Sequence, residues 1–120
     1  MGIQFDKAMG VHAETLRLRA DHTKILASNL ANESTPGYQA RDIDFGASLR
    51  QSADGAATGL IDSAAPDLLY RVPNHATQDG NTVELGVEQA EFSQNSSDFQ
   101  ASLAFLNMNI KGLAKAIAGQ

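Results

Sequence analysis

Apolar residues fall into two long helical patterns separated by a stretch with no sustained period. In the first, Met9, Ala13, Leu16, Ala20, Thr23, Ala27 and Leu30 step alternately by four and three, the spacing of a coiled-coil seam with a small residue at every second layer. A second column, Val11, Leu18 and Ile25, repeats every seven residues; its offset of two positions turns it about 200° from the seam. One helix with two apolar faces needs two neighbours. The helix is predicted from Gly2 or Phe5 to about Asn32, with only Gly10 as a weak point inside. It stops at Thr35-Pro36-Gly37-Tyr38, where Pro36 biases Thr35 out of the α region and Gly37 can take a positive φ. Asn29 and Asn32 fall in its last turns, where their amides can serve orphan carbonyls or the following loop.

The second pattern is clearer. Phe92, Ser96, Phe99, Leu103, Leu106, Ile110, Leu113 and Ile117 keep the same alternation with one polar member, which predicts a helix starting between Glu84 and Glu91 and ending near Gly119, roughly 45 Å long. Its other face carries Gln94, Asn95, Gln100, Asn107 and Asn109, which suits a crowded contact surface better than free solvent. Between the helices, Leu68-Leu69-Tyr70-Arg71-Val72 is a strand-like run closed by Pro73, and Asp79-Gly80-Asn81 is a turn before Thr82-Val83-Glu84-Leu85. The two runs read either as a small β-hairpin or as an extended loop lying against a neighbouring chain. Residues 51–59, small and polar, read as a flexible linker. The predicted fold is mainly α: two long terminal helices paired as an antiparallel coiled coil and joined by a loop-rich middle. Its parts are an N-terminal helix over 1–34, the middle over 35–85 and a C-terminal coiled-coil helix over 86–120.

Composition narrows the function more than the fold. At 120 residues the chain is at most one compact domain or one subunit of something larger. A net charge of -5 has the wrong sign for neutralising a phosphate backbone. The acidity sits in the middle, where residues 41–91 hold nine acids and three bases. There is no Cys, which removes disulfides, thiolate metal sites and Cys nucleophiles together. No apolar run reaches the roughly 18 to 20 residues that span a bilayer, and the N-terminus lacks the basic segment, apolar stretch and small-residue cleavage site of a secretory signal, so that Met1-Gly2-Ile3-Gln4-Phe5 reads as the start of a translated protein. Asp6 stands where a myristoylation motif after Gly2 would want Ser or Thr.

Candidate chemistry fails on spacing or company. His12 and His22 lie ten residues apart on one helix, about 280° round from each other, so they read as solvated histidines and not as a chelating pair. His75 sits alone in the loop region. Asp42 and Asp44 share one side of an extended segment, but a hard-cation site needs several more oxygens. The glycines at 55 and 59 lack the Lys-Ser/Thr of a phosphate loop, and no serine has a Gly-x-Ser-x-Gly setting. Nothing argues for an enzyme, a cofactor or a metal site; a small metal-dependent enzyme using Asp42, Asp44 and His75 is the remote reading.

The segment Asn29-Leu30-Ala31-Asn32-Glu33-Ser34-Thr35-Pro36-Gly37-Tyr38 closely resembles the N-terminal signature of the flagellar axial family, the bacterial rod and hook proteins. Its continuation Arg41-Asp42-Ile43-Asp44-Phe45 and the later Asp79-Gly80-Asn81-Thr82-Val83-Glu84-Leu85 resemble the short proximal-rod members in particular. The likeness covers nearly the whole chain, leaving about 46–66 unmatched. It implies a structural subunit exported through the flagellar type III apparatus without a cleaved signal, partly disordered as a monomer, that assembles helically with its terminal helices paired inside a tube wall. The implied location is the basal body, in the rod that crosses the periplasm, where the subunit transmits torque and lines an export channel. The implied partners are other copies of itself, the proximal-rod proteins FlgC and FlgF, the adaptor FliE, the nearby membrane ring protein FliF and, during secretion, the export apparatus.

On this reading Phe92, Phe99, Leu103, Leu106, Ile110, Leu113 and Ile117 pack on Met9, Leu16 and Leu30, within a subunit or between subunits, while Val11, Leu18 and Ile25 form the second face. Asn29, Asn32, Thr35, Pro36, Gly37 and Tyr38, with Asp79, Gly80 and Asn81, carry the rod signature; the first six would fix the bend after the first helix. The competing reading is a soluble coiled-coil adaptor or chaperone of a type III secretion system, which shares the heptads.

Overall fold

A computed structural model describes residues 5–57 and 67–119, with side chains described for 9–54 and 67–119. The predicted linker over 51–59 therefore lies partly outside the described residues, as does the segment before Phe5. The elements run α1 (Phe5–Ala31), β1 (Arg41–Ile43), α2 (Phe45–Ala57), β2 (Leu68–Tyr70) and α3 (Leu85–Ala118). The fold is mainly helical with one small sheet. It is elongated, 64 × 30 × 19 Å.

Both long helices stop where local chemistry says they should. Past Ala31 the chain tightens through a turn in which the N–H of Thr35 donates to the carbonyl of Asn32 at 3.1 Å. α3 ends on Gly119 at φ 72°, whose N–H reaches back to the carbonyls of Ala116 and Lys115, the left-handed cap that glycine adopts without penalty. The two helices meet in opposite chain order: Asn29 contacts Glu88, Arg19 and Thr23 contact Asn95, and Met9 shares a hollow with Met108 and Leu113.

Two expectations for the middle need correction. The strand-like run at 68–70 pairs antiparallel with β1, Arg41 opposite Tyr70 and Ile43 opposite Leu68, and not with 82–85, which carries no strand. The reason lies in Thr82: its N–H donates to the carbonyl of Tyr38 at 2.9 Å and its hydroxyl accepts the Ala40 N–H at 2.7 Å, so this segment is engaged beside the start of β1. The stretch read as linker is helical through Ala57, because Asp44 caps it, its Oδ1 accepting the Ala47 N–H at 2.9 Å. α2 packs on α1. Ser52 donates to Glu14 at 3.0 Å and the Phe45 ring lies 4.1 Å beneath the Arg19 guanidinium.

The apolar core is small and lies at one end. Among the described residues the buried apolar side chains are Leu18, Leu26, Ala40, Ile43 and Val83. Leu26, Ala40, Ile43 and Val83 sit where α1 ends, β1 runs and α3 starts, and Leu18 lies about two turns further back on α1.

Candidate functional site

The densest polar construction in the molecule surrounds that core, where the two signature segments meet. Gly37 and Gly80 have φ of 73° and 74°, a region that a Cβ makes costly, and the Gly37 N–H donates to the carbonyl of Asp79 at 2.9 Å. Next to them Asn81 is buried. Its Nδ2 lies 2.9, 2.7 and 2.8 Å from the carbonyl oxygens of Asn32, Glu33 and Thr35, so two protons serve three acceptors beyond the end of α1. Its Oδ1 accepts the Val83 N–H at 2.8 Å, while Asp79 Oδ1 accepts the Asn81 N–H at 3.1 Å. One side chain from the second motif therefore satisfies the carbonyls that the first motif leaves open.

Asn29 does the corresponding work one turn earlier. Fully buried, it donates to the Arg41 carbonyl at 2.8 Å and accepts the Arg41 N–H at 3.0 Å, so its amide pairs with β1 as a neighbouring strand would. It also donates to Glu88 Oε2 at 3.1 Å and accepts from the Tyr38 hydroxyl at 3.3 Å. Asn32 donates to the Ser28 carbonyl at 2.7 Å and accepts the Thr35 hydroxyl at 3.2 Å. Pro36 is exposed.

Behind Asn29 runs a chain of charge. Glu88 is fully buried on α3 and is met by Arg71, which also donates to Asp42 at 2.8 Å. Asp42 Oδ1 in turn lies 3.0 Å from Nε2 of His22. Burial pushes the Asp42 carboxyl up, but hydrogen bonds from His22, Arg71 and the Ile43 N–H, with the field of Arg71, outweigh it and hold the group well below the usual carboxylate range. For Glu88 burial wins, and its carboxyl is raised despite Asn29 and Arg71. Burial tends to lower Arg71, yet its two carboxylate partners raise it, so it stays charged. His22 is thus not the solvated histidine its sequence position suggests: it is 8% exposed and faces Asp42.

The heptad residues are divided in this chain. On α3, Phe99, Leu106 and Leu113 are half-buried, whereas Phe92, Leu103, Ile110 and Ile117 are exposed, Ile117 at 74%. On α1, Leu18 is buried, Met9, Leu16, Ile25 and Leu30 are half-buried, and Val11 is exposed. The column of α3 that turns most fully inward is polar, with Glu88 and Asn95 buried and Ser102 half-buried. Asn95 donates to the Arg19 carbonyl at 2.9 Å and to the Thr23 hydroxyl at 2.8 Å, and Arg19 reaches Asp98 at 3.3 Å. Sequence reasoning gave Glu88 and Arg71 no role, read His22 as solvated and placed Asn95 only on a polar contact face. For two of them a signal exists: Glu88, Asn95 and Ser102 repeat every seven residues beside the Phe92, Phe99, Leu106 column.

Chemically the arrangement holds segments together. Asp42 is committed to Arg71 and His22, and Asp44 to capping α2, so the carboxylates that could have joined His75 in a metal site are used elsewhere. Among the described residues no three His, Asp or Glu side chains are placed to share a metal ion, and no helix is long and apolar enough to cross a membrane. Two long helices spring from one polar junction, and an apolar stripe on α3 stays exposed.

Residues 9–39 match the family model described as flagella basal body rod protein. Over 97% of its length the chain is 47% identical to the flagellar basal body rod protein FlgB of Cereibacter sphaeroides, 98% of which is covered. It is 42% identical to the FlgB of Aeromonas hydrophila, covering 100% of this chain and 99% of that one, and 40% identical to the FlgB of Salmonella typhimurium, covering 97% and 96%. The chain belongs to the FlgB family of flagellar basal body rod proteins.

Proposed function

We propose that this chain is a structural subunit of the proximal rod of the bacterial flagellar basal body, without catalytic turnover. The observation that carries the reading is the near-end-to-end similarity to FlgB proteins, whose printed name is that of a basal body rod protein. Subunits assemble helically, with α1 and α3 paired as an antiparallel coiled coil that forms part of the drive shaft and of the wall of the export channel. The exposed stripe Leu103, Ile110 and Ile117 supports this, since a stripe of large apolar residues at heptad spacing on a long helix is costly to leave wet and is covered when a neighbouring helix docks. Each large side chain so buried contributes about 1.5 to 3 kcal/mol. The signature residues, from Asn29 to Tyr38 and from Asp79 to Asn81, fix the bend between α1 and the middle segment. The neighbours are other copies, FlgC, FlgF and the adaptor FliE, with FliF close by, and the subunit reaches the rod through the flagellar export apparatus with no cleaved signal.

The test is to extract basal bodies in detergent from cells carrying an epitope-tagged copy and to measure this chain against the ring protein. Recovery in fixed proportion is expected. A chain that stays soluble and is absent from the particle would overturn the reading.

A further inference from the structure

We propose that Phe105, which projects from α3, seats in a hollow on the opposite flank of the helix pair of a second copy of this chain, so that copies stack in one direction. The proposal rests on the reading of the chain as a rod subunit and names the contact by which one copy meets the next. Phe105 is 58% exposed, and Met108, three residues on, is exposed beside it. Neither belongs to the heptad stripe, and an aromatic ring left this far in water is of the kind that anchors an interface. The hollow opens between α1 and α3, is lined by Ala20, Thr23, Ser96, Phe99 and Gln100, and has a volume of about 370 Å³. Small residues on both helices leave this space, and about 150 Å³ suffices for a benzene ring. Phe99 in its wall offers an incoming ring an aromatic partner.

Placement on the helix selects the partner. Phe105 lies nine residues from Ser96, two and a half turns, so it points about 180° away from the hollow. A chain cannot fill its own hollow with this ring, but the next copy can. A protrusion and a recess on opposite flanks make a heterologous contact, which repeats without closing. A second hollow, beside Met9, Met108 and Gly112, lies on the flank of Phe105 itself, and a contact there would be two-fold and closed. The first hollow also runs into the apolar stripe, since Leu103 stands four residues from Phe99 and three from Gln100. An arriving helix therefore begins to cover that stripe. Charges agree with copies aligned in one chain direction. Asp98, half-buried beside Arg19, precedes Phe105 by seven residues on the same face. Lys24 follows Ala20 by four, and its side chain is 79% exposed beside Asp21. Because α1 and α3 run in opposite chain order, the step back from Phe105 to Asp98 and the step on from Ala20 to Lys24 point the same way along the pair. Carboxylate and ammonium thus come to one side of the seated ring.

The chain has no Cys, so a pair of thiols can report the contact alone. Gly112 lies seven residues after Phe105 and Ala13 seven before Ala20; both are exposed, and a Cβ added at Gly112 meets nothing within 4 Å. These two steps also point the same way along the helix pair. The experiment places Ala13→Cys and Gly112→Cys together in the full-length chain, bridges thiols in detergent-extracted basal bodies with a short bis-maleimide, and reads the products by mass. A ladder of two, three and more copies is expected from the double variant and none from either single variant. Phe105→Ser leaves the unfolding midpoint of the isolated chain unchanged and lowers its recovery in basal bodies about tenfold or more. A double variant recovered in particles without the ladder, or joined to a different protein instead, overturns the proposal while the rod reading stands. A dimer from Gly112→Cys alone overturns it as a two-fold contact, and so does a Phe105→Ser chain recovered in full. A native chain absent from the particle overturns both readings. Should the double variant fail to assemble, cells carrying the two single variants side by side must yield the cross-linked dimer, or the proposal fails.

Discussion

Replacing Asn81 tests whether the two signature segments are held by one another. In the native chain its amide serves the carbonyls of Asn32, Glu33 and Thr35 and the N–H of Val83, all at 2.7 to 2.9 Å. Val83 is buried, so in Asn81→Ala its N–H loses a partner where water does not easily follow, at a cost of about 1–3 kcal/mol. The three carbonyls shared two protons and belong to a half-buried and two exposed residues, so water replaces much of what they lose and the further cost is about 1 kcal/mol. A total of about 2–4 kcal/mol is expected, a large fraction of what holds a domain of this size together.

Asn81→Asp separates this account from simple loss of packing. The change is nearly isosteric and keeps an acceptor for Val83, but it sets a carboxylate oxygen against three carbonyl oxygens in place of the donor. At pH 7 it should destabilise at least as much as Asn81→Ala, with partial recovery below about pH 5, where a protonated carboxyl can donate again. Urea unfolding followed by circular dichroism on the full-length chain reads both variants. The reasoning fails if Asn81→Ala lies within about 0.5 kcal/mol of the native chain, or if Asn81→Asp at pH 7 is closer to native than Asn81→Ala.

Four more outcomes are expected. Leu26→Ala, at a fully buried position, should cost about 2–5 kcal/mol in the same unfolding assay. Leu103→Lys and Ile117→Lys, on the exposed stripe, should leave monomer stability within about 0.5 kcal/mol and abolish motility and rod assembly, which swimming assays and basal-body preparations read separately. Gly80→Ala should cost about 1–2 kcal/mol and Gly80→Asn less, because an added Cβ meets only the Gly37 Cα at 3.7 Å and the penalty is that of the positive φ. Asp42 has a folded-state carboxyl held below its ordinary 3.8, so its contribution is present above that value and is lost as the pH falls through the folded one. Asp42→Asn should flatten this acid limb in a pH series of unfolding midpoints.

The lengths of the helices were legible because each carries its own punctuation. Pro36 and Gly37 end the first, the acids and Gly119 bracket the last, and both stop signals act over a few residues. The choice of β2's partner was not legible. Thr82-Val83-Glu84-Leu85 has strand composition, but Thr82 is taken up by Tyr38 and Ala40, and that competition exists only once the two signature segments have met. α2 was missed because residues 51–57 are small and polar; what makes them helical is the Asp44 cap and a docking face on α1, neither visible in local composition. The heptads were legible as a pattern but not as an interface. Leu103 and Phe99 look equivalent in the sequence, yet only Phe99 turns toward α1.

That difference between Leu103 and Phe99 has a physical cause. α1 presents Arg19, Thr23 and Asn29 to α3, and their partners are Asn95, Asp98 and Glu88, so polar matching sets the rotation of α3 about its axis. Had apolar burial alone set it, both columns of the seam would face α1 and neither would be left for a neighbour. Buried Asn29, Glu88 and Asn95 cost stability relative to a leucine seam, but they leave Leu103, Ile110 and Ile117 outward. On the proposed assembly, a polar seam inside one chain and an apolar stripe outside it would make each helix pair specific for its own register and keep the larger hydrophobic gain for contact with another chain.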